Sequence, residues 1–438
     1  MSNSVGEIAA AYRTNKVKEE DGAIHNWYRF VLSFPPHLVK YYLEKFDVSE
    51  SERILDPFCG TGTTLIESKI NLRNSIGIEA NPIVRYATKT KLNWNINTDE
   101  LINVALDIAQ KVNKRLLNEG IDDRSLVSNN ATFLRKLPEE SEKILIKNSI
   151  SPVPLHKSLV LLEEIRNSRS EATQDHLILA FLKTTVKYAS NLRFGPEIGV
   201  GKIKKDAFII DPWLDQIRTI AEDINDLQND YQDLNAEIIF GDSRNSNQYL
   251  SRSSVNVVIT SPPYPNEKDY SRTTRLENVL LGSVKNLHEL RSVKKNFVRS
   301  NTRSVYKEDN DHEYIKDISI VHQIAKQIED RRTELNKTSG FEKMYSKVIL
   351  QYFGGMARHL SNLRNSLAHG AKLAYIVGDQ ASYLRVMIRT GSILAEIAES
   401  LGYKVADIEL FRTRFATATK EDLREEVLIL EWTGANGK

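Results

Sequence analysis

The chain has 438 residues, of which 41% are hydrophobic and 27% charged, a balance typical of folded globular proteins and not of disordered ones. Its formal net charge is only +2, so overall charge does not indicate a nucleic-acid partner, and any basic surface has to be local. The one cysteine, Cys59, excludes an intrachain disulfide and favours a cytoplasmic location. The sequence holds no run of 18 apolar residues, so we expect no membrane partner.

The first hundred residues contain a strand, a glycine-bearing loop and a helix in succession. Residues 53–56 predict a short strand, the next eight read Pro57-Phe58-Cys59-Gly60-Thr61-Gly62-Thr63-Thr64, and a helix capped by a threonine follows. This order lets backbone N–H groups approach a ligand closely at the N-terminus of the helix. A second strand over 75–79 ends in Glu79, about 20 residues after the glycines, where a carboxylate can accept ribose hydroxyls. Asp56, directly before the loop, suits a ligand that carries an ammonium group.

Residues 98 to 235 have a different character, because apolar residues recur there at helical intervals and predict a helical insertion. His156 and His176 have no partner at metal-ligand spacing, so we expect structural roles for them and no metal site. The glycine-rich basic stretch 193–205, with Lys202 and Lys204, is not helical. It is either a mobile loop that faces the substrate or a plain connector.

The Ser-Pro-Pro-Tyr stretch, Ser261 to Tyr264, follows the β-branched run 255–260, which predicts a strand buried on both faces. Two prolines end that strand and hold a hydroxyl, a tertiary amide and an aromatic ring at its carboxyl end. Ligands bind at this edge of an open α/β sheet. An ordinary proline turn is the alternative interpretation of so short a motif. Another strand ends in Gly241-Asp242 shortly before it.

After Tyr264 the regular alternation of strands and helices stops for about 80 residues, and a basic segment without any acidic residue follows. Together with Lys202 and Lys204, its cations are the candidate DNA-binding residues: Arg291, Lys294, Lys295, Arg299 and Arg303. Phosphate backbones bind such basic and hydrogen-bonding residues, although a solvated charged loop explains the pattern equally well. A helix over 344–367, a strand over 372–378 and a helix over 393–401 come next. Two last strands, 404–411 and 426–432, predict an antiparallel pair.

Together, Asp56 to Thr64 and Ser261-Pro262-Pro263-Tyr264 resemble the two signature motifs of S-adenosylmethionine-dependent DNA amino-methyltransferases. The resemblance implies an α/β fold with a seven-stranded, mostly parallel, Rossmann-like sheet whose last strand is antiparallel. It divides the chain into an N-terminal segment with the cofactor-binding half, a helical insertion, the strands of the catalytic motifs, a second insertion and the C-terminal part of the catalytic domain, over residues 1–96, 97–235, 236–264, 265–344 and 345–438. The second insertion is the candidate DNA-recognition region. The large insertion precedes Gly241-Asp242, unlike in the related class, which leaves open which insertion reads the DNA.

The resemblance also implies S-adenosylmethionine as cofactor. It assigns the cofactor a set of residues: Asp56, Pro57, Phe58, Gly60, Thr61, Gly62, Thr63, Glu79, Asp242, His25 and Phe30. In that assignment Glu79 holds the ribose and Asp242 lies at the adenine amino group. The methionine part is lined by Asp56, Phe58, Gly60 and Gly62. His25 and Phe30 belong to an aromatic segment that loosely matches a cofactor-flanking motif. Ser261, Pro262, Pro263 and Tyr264 are the catalytic residues and hold the target base.

The chemistry expected of this pair of motifs is methylation of an exocyclic amine. Such an amine is a poor nucleophile, because its lone pair is delocalised into the ring, and acceptors aimed at its hydrogens free that pair. Ser261 and the Pro262 carbonyl suit this role, while Tyr264 stacks on a base flipped out of the duplex. Methylation at carbon 5 of cytosine needs a cysteine near a proline-rich turn, but Cys59 lies in the cofactor loop.

Serine at the first position is the form that relatives specific for cytosine N4 mostly carry, so we predict N4-methylcytosine as the product. Adenine N6 is the alternative, because no hydrogen-bonding argument excludes it. An RNA guanine-N2 methyltransferase is a weaker alternative, since only about 50 residues precede Asp56 and those enzymes usually place an RNA-binding domain there. An inactive DNA-binding subunit conflicts with the intact motifs. The expected partners are double-stranded DNA and a possible cognate restriction endonuclease, and the oligomeric state stays open.

Overall fold

The computed structural model describes residues 12–14, 21–28, 33–125, 133–168, 170–195, 197–227, 234–416 and 420–434. The strands formed by these residues are β1 (Arg53–Asp56), β2 (Asn74–Glu79), β3 (Leu192–Arg193), β4 (Gly199–Val200), β5 (Ala236–Phe240), β6 (Val255–Thr260), β7 (Leu367–Gly378), β8 (Lys404–Ala416) and β9 (Glu421–Trp432). The helices are α1 (Pro36–Lys45), α2 (Thr63–Ile70), α3 (Pro82–Leu92), α4 (Thr98–Asn118), α5 (Glu139–Ile144), α6 (Pro152–Asn167), α7 (Glu171–Thr184), α8 (Ile210–Leu227), α9 (Arg275–Leu281), α10 (Leu287–Lys295), α11 (Ser319–Glu334), α12 (Tyr345–Leu363) and α13 (Thr390–Ser400). None of these helices is long and apolar enough to cross a membrane.

The main sheet has seven strands in the order β5-β2-β1-β6-β7-β9-β8. The first five strands of that order are parallel to their neighbours, while β9 runs antiparallel to both β7 and β8. This arrangement confirms the predicted fold class. The order reverses between β1 and β6, so their carboxyl ends open a crevice in which ligands of α/β sheets bind.

Helices cover both faces of the sheet, and successive strand residues alternate between the two cores. Ile54, Val257 and Ala374 pack against α1 on one face. Their neighbours Leu55 and Val258 pack against α12 and α13 on the other. Because neither face meets water, the central strands are apolar along their whole length, which is why β6 is so easily read from the sequence.

The predicted run of helices after residue 97 is present as α4 to α8. Four of these helices, α4, α6, α7 and α8, share one apolar cluster with α2 and α3. Trp213 of α8 is fully buried in this cluster, and its indole N–H donates to the Leu177 carbonyl of α7 over 3.1 Å. These helices therefore pack against α2 and α3 through an apolar contact.

Three local features differ from the sequence-based expectations. Helix α2 begins at Thr63 and its N-cap is Gly62, so no threonine side chain caps it. The stretch 193–205 contains part of a short antiparallel hairpin formed by β3 and β4. Strand β8 continues to Ala416, five residues beyond its predicted end at residue 411.

Candidate active site

A cavity of about 760 Å³ opens at the carboxyl ends of the central strands, within the size range of ligand pockets. One wall comes from the glycine loop, with Phe58 and Gly60, and from Glu79 at the end of β2. The opposite wall comes from Ser261 and Tyr264, directly after β6. The structure thus brings the two sequence motifs, about 200 residues apart, into a single cavity.

The glycine loop owes its shape to two glycines with left-handed backbone angles, Gly60 at φ 53° and Gly62 at φ 83°. A Cβ atom at Gly62 would lie 2.7 Å from the Thr88 Cγ2 atom of α3, so only glycine fits this close approach. The Thr88 hydroxyl also donates to the Gly60 carbonyl over 2.8 Å. Helix α3 therefore holds the loop in place at both glycines.

Glu79 contacts the glycine loop and keeps spare hydrogen-bonding capacity. Its carboxylate accepts from the Gly60 N–H over 2.8 Å and from the Asn81 N–H over 2.7 Å. Burial raises the pKa of Glu79 to about 7, against the lowering effect of those two backbone donors. A carboxylate offers about four lone-pair sites. Two are left, which is what ribose hydroxyls require.

Asp56 lies fully buried beneath the loop and joins it to β6. Its Oδ1 atom accepts from the Phe58 N–H over 3.1 Å and from the Thr260 hydroxyl over 2.6 Å. No described residue donates to its Oδ2 atom, which is also buried. Burial raises the pKa of Asp56 to about 6. An acceptor without a donor next to the loop fits a ligand that carries hydrogen-bond donors, although Asp56 does not itself line the cavity within the described residues.

Asp242 lines the cavity, but its carboxylate is engaged by Arg244. The Arg244 Nε atom donates to Asp242 Oδ1 over 3.0 Å and its Nη2 atom to Oδ2 over 2.7 Å. The Arg244 Nη1 atom reaches Asp311 Oδ2 in the second insertion over 2.6 Å. Asp242 therefore has less capacity for an adenine amino group than the resemblance implies.

His359 supports the same wall from below, where its ring meets Phe58 edge-on at 4.9 Å. Its two ring nitrogens bond the Ser243 carbonyl at 2.9 Å and the Tyr375 hydroxyl at 2.7 Å. Burial lowers the pKa of His359 to about 4, so the ring is neutral at pH 7. Nothing in the sequence around His359 indicated this position.

At the opposite wall, backbone contacts fix the Ser-Pro-Pro-Tyr residues. Ser261 donates its hydroxyl to the Ile376 carbonyl of β7 over 3.1 Å, and the Tyr264 N–H donates to the Tyr270 hydroxyl over 3.1 Å. The Tyr264 ring lies against Gly378, where a Cβ atom would come within 3.0 Å of the ring. Burial, and then the nearby Glu425 carboxylate, raise the pKa of Tyr264, so its hydroxyl stays protonated.

The aromatic segment before the loop contributes other residues than predicted. His25 is buried away from the cavity, and its Nε2 atom bonds Glu67 Oε1 over 2.8 Å. The expectation that His25 binds the cofactor is therefore corrected, and Phe30 lies outside the described residues. Three residues that follow, Ser33, Phe34 and Pro35, line the cavity instead.

The predicted DNA-binding residues divide into buried and exposed cations. Lys294 is buried with its ammonium 3.0 Å from Asp269 Oδ2, and Arg299 is buried with its guanidinium 2.8 Å from Asp309 Oδ1. These two expectations are corrected, because neither side chain is free to reach a phosphate. The Lys204 ammonium donates to two backbone carbonyls and is only half exposed. The cations that stay exposed are Lys202, Arg291, Lys295 and Arg303.

Several cavity residues were not predicted from the sequence. They come from the β8–β9 hairpin and from the loop after Tyr264, and comprise Lys268, Asn266, Phe411, Arg412, Arg414, Phe415, Leu423 and Glu425. Arg412 holds Glu425 through two parallel bonds of 2.7 and 2.8 Å. In the segment 411–415, two arginines lie between two phenylalanines, a composition that could have indicated a binding site. It was missed because the predicted strand ended at Phe411.

Known proteins resemble this chain along most of its length. A family described as DNA methylase matches residues 7–89. Type II methyltransferase M.BsoBI of Geobacillus stearothermophilus is 26% identical over 439 residues, covering 94% of this chain and 84% of that protein. Type II methyltransferase M.AvaI of Anabaena variabilis is 25% identical over 447 residues, covering 94% of this chain and 85% of that protein.

Two more distant matches cover less. Type II methyltransferase M.MjaII of Methanocaldococcus jannaschii is 27% identical over 175 residues, which are 40% of this chain and 30% of that protein. The crystal structure of TrmN from Thermus thermophilus aligns with a TM-score of 0.25 and 10% identity, over 91% of this chain and 48% of that one. So low a TM-score carries no argument about function or fold.

Proposed function

We propose that this chain, a relative of the S-adenosylmethionine-dependent DNA amino-methyltransferases, methylates the exocyclic amine of a base flipped out of double-stranded DNA. Methyltransferases of this family use S-adenosylmethionine as methyl donor. The observation that carries the proposal is the shared cavity, whose two walls are the glycine loop and the Ser-Pro-Pro-Tyr turn. A donor bound at one wall and a base held at the other would meet in the middle of that cavity.

The cofactor wall fits the donor through its acceptors and its shape. Glu79 has two lone-pair sites left for the ribose hydroxyls, and Asp56 contributes an unpaired oxygen beneath the loop. The backbone at Gly60 and Gly62 permits the close approach that a bulky ligand needs. The bound cofactor would supply an electrophilic methyl group on a sulfonium. The side chains around it bind and orient.

The base wall would activate the amine by accepting its hydrogens. The Ser261 hydroxyl already donates its proton to the Ile376 carbonyl. Its oxygen lone pairs can therefore accept a hydrogen bond from a ligand. No described residue donates to the Pro262 carbonyl, which is likewise available as an acceptor. Two such acceptors draw the amine nitrogen toward a tetrahedral geometry and free its lone pair for in-line attack on the methyl group. Catalysis then comes mainly from positioning and local electrostatics.

Tyr264 would stack on the flipped base. Its ring packs against Gly378, and its backbone N–H is bonded to the Tyr270 hydroxyl. Tyr264 therefore loses little conformational freedom when a base binds. Because burial raises the pKa of Tyr264, the phenol is neutral and does not act as the base that removes the amine proton. That proton leaves the nitrogen after transfer, when methylation has made it acidic.

The target atom that we propose is N4 of cytosine, since the first residue of the motif is Ser261, as in most relatives specific for that amine. Because its relatives are named type II methyltransferases, we further propose that the chain modifies a specific site within a restriction-modification system, with a cognate endonuclease as functional partner.

The deciding experiment incubates the protein with labelled S-adenosylmethionine and, in separate reactions, plasmid DNA or transfer RNA, then identifies the methylated nucleoside by mass spectrometry. N4-methylcytosine supports both proposals. N6-methyladenine alone would refute the choice of cytosine but keep DNA amino-methylation. Label that enters transfer RNA and not DNA would refute the proposed function altogether.

A further inference from the structure

Three separate segments meet at the mouth of the catalytic cavity, on the side of Tyr264. Glu197 comes from the turn between β3 and β4, Lys268 from the loop after Tyr264, and Arg414 and Phe415 from the β8–β9 hairpin. The described part of that hairpin continues beyond the strand pairing of β7, which ends where Gly378 faces Glu425. The hairpin therefore forms a wall beside the place where the flipped base would enter.

Two cations at this mouth have no ion-pair partner among the described residues. Arg412 and Glu425 satisfy each other through two short bonds. In contrast, no described carboxylate lies within ion-pairing distance of the Lys268 ammonium or the Arg414 guanidinium. Glu197 and Glu425 are the acidic groups near Lys268, and neither forms an ion pair with it.

The free cations also lie close enough to oppose each other. Burial and then the positive charge of Arg414 lower the pKa of Lys268, against the attraction of Glu197 and Glu425. Two like charges that face one cavity without a directly paired carboxylate repel each other. An anion bound between them would remove that repulsion.

We propose that Lys268 and Arg414 form a binding subsite for one DNA backbone phosphate next to the flipped nucleotide. This inference rests on the proposed function, because the base in the cavity places its own phosphates at the mouth. Arginine presents a planar fork of donors that matches phosphate, and lysine adds a compact charge. Phe415, whose surface is 62% exposed, offers an apolar ring to the sugar or base beside that phosphate.

The first test measures how DNA binding depends on salt. Arg414→Ala and Lys268→Ala should each lower the magnitude of the slope of log K against log salt by about 1, as expected for one lost phosphate contact. Arg252→Ala is the matched control, since Arg252 is exposed before β6, at the opposite edge of the sheet. Lys268→Arg and Arg414→Lys keep the charge and should keep the wild-type slope.

The second test replaces single phosphates. The duplex contains the sequence that the protein methylates, in its unmethylated form. Replacing the phosphate next to the target nucleotide by a neutral methylphosphonate should weaken binding of the wild-type protein. The same replacement should weaken binding of the Lys268→Ala/Arg414→Ala double variant much less, because both cations that contact this phosphate are then absent. Binding of S-adenosylmethionine, measured in the same variants by calorimetry, should stay at the wild-type level.

The two outcomes that would overturn the subsite are distinct from a failure of the proposed function. Equal salt slopes for Arg414→Ala, Lys268→Ala and Arg252→Ala would overturn it, as would charge-conserving variants that lose as much slope as the alanine variants. If the wild-type protein transfers no methyl group to DNA, the proposed function itself fails.

Discussion

Thr260 donates its hydroxyl hydrogen bond to Asp56 Oδ1 over 2.6 Å, and this bond joins the end of β6 to the end of β1. The glycine loop begins directly after Asp56, and the Ser-Pro-Pro-Tyr turn begins directly after Thr260. This buried contact, together with the pairing of β1 and β6, links the two walls of the cavity. Asp56 is therefore a positioning residue as well as a candidate ligand of the cofactor.

Thr260→Val should destabilise the fold, because the valine has the same shape but leaves Asp56 Oδ1 with only its backbone donor. A lost hydrogen bond to a charged group costs about 1.5–3 kcal/mol, which urea denaturation would detect as a lower midpoint. Thr333→Val on the exposed surface of α11 is the control and should change stability by less than about 0.5 kcal/mol. Equal stabilities of the two variants would show that the bond contributes nothing.

The affinity for S-adenosylmethionine should depend on pH through Glu79. Its pKa is raised to about 7, and ribose hydroxyls donate better to the ionised carboxylate. Affinity should therefore fall as pH decreases below 7, by at most about tenfold per pH unit. Glu79→Gln should bind more weakly at pH 8 and lose this dependence. The exposed Glu237→Gln on β5 should show the wild-type profile, and a Glu79→Gln profile that still falls would assign the titration to another group.

The raised pKa of Glu79 also affects the stability of the fold, and this effect depends on pH in the opposite direction to the affinity for the cofactor. A carboxyl group whose pKa is higher in the folded state than in the unfolded state binds more protons when folded. Its contribution to the free energy of unfolding is complete below its ordinary pKa of 4.5 and is lost as pH rises through about 7. At low pH, Glu79 should therefore increase the free energy of unfolding, whereas the affinity for the cofactor should decrease.

Tyr264→Ala should lose turnover on DNA and keep affinity for the cofactor. Stacking of a base on an aromatic ring contributes about 1–3 kcal/mol, so kcat/KM should fall roughly 5- to 150-fold. Tyr264→Phe keeps the ring and should retain most of the activity. If phenylalanine were as defective as alanine, the hydroxyl and not the ring would be the important group.

Neighbouring lysines in α10 should behave in opposite ways. Lys294→Ala removes one of two cations that pair with buried Asp269, the other being Arg275 at 3.9 Å. It should cost about 1.5–3 kcal/mol of stability, as the loss of a hydrogen bond to a charged group does. Lys295 is exposed, so Lys295→Ala should leave stability within about 0.5 kcal/mol and instead reduce the salt slope of DNA binding by about 1. A stable Lys294→Ala variant with weakened DNA binding would restore the original expectation for Lys294.

The sheet and its two motifs were predictable because their signals are local. The apolar run of β6 ends at two prolines, and the loop after β1 contains two glycines with backbone angles that other residues rarely adopt. Alternation and chain breakers reveal where such strands end, and the parallel topology then brings the ends together. The helical insertion was predictable in the same way from its spacing.

The parts that failed depend on partners far away in the sequence. Lys294 and Arg299 were predicted to be free cations. Their carboxylate partners lie 25 and 10 residues away, and nothing in the sequence indicates that these carboxylates are buried. Arg412 and Arg414 lie about 150 residues after Tyr264, and only the return of the hairpin beside β7 brings them to the cavity. His25 resembled a motif residue by its aromatic neighbours, whereas its contact with Glu67 is a feature of packing alone.

The Arg244 bridge limits which segments could replace residues 265–344. Arg244 binds Asp242 in the cofactor wall and Asp311 in the second insertion, and a Cβ atom at Gly354 would lie 2.2 Å from the Asp311 carbonyl oxygen. A foreign segment grafted over 265–344 would have to bring an acid to the point that Asp311 occupies and leave room for the backbone at Gly354. A segment taken from a relative should therefore fit only if it matches Arg244 and Gly354, which stay behind in the rest of the chain.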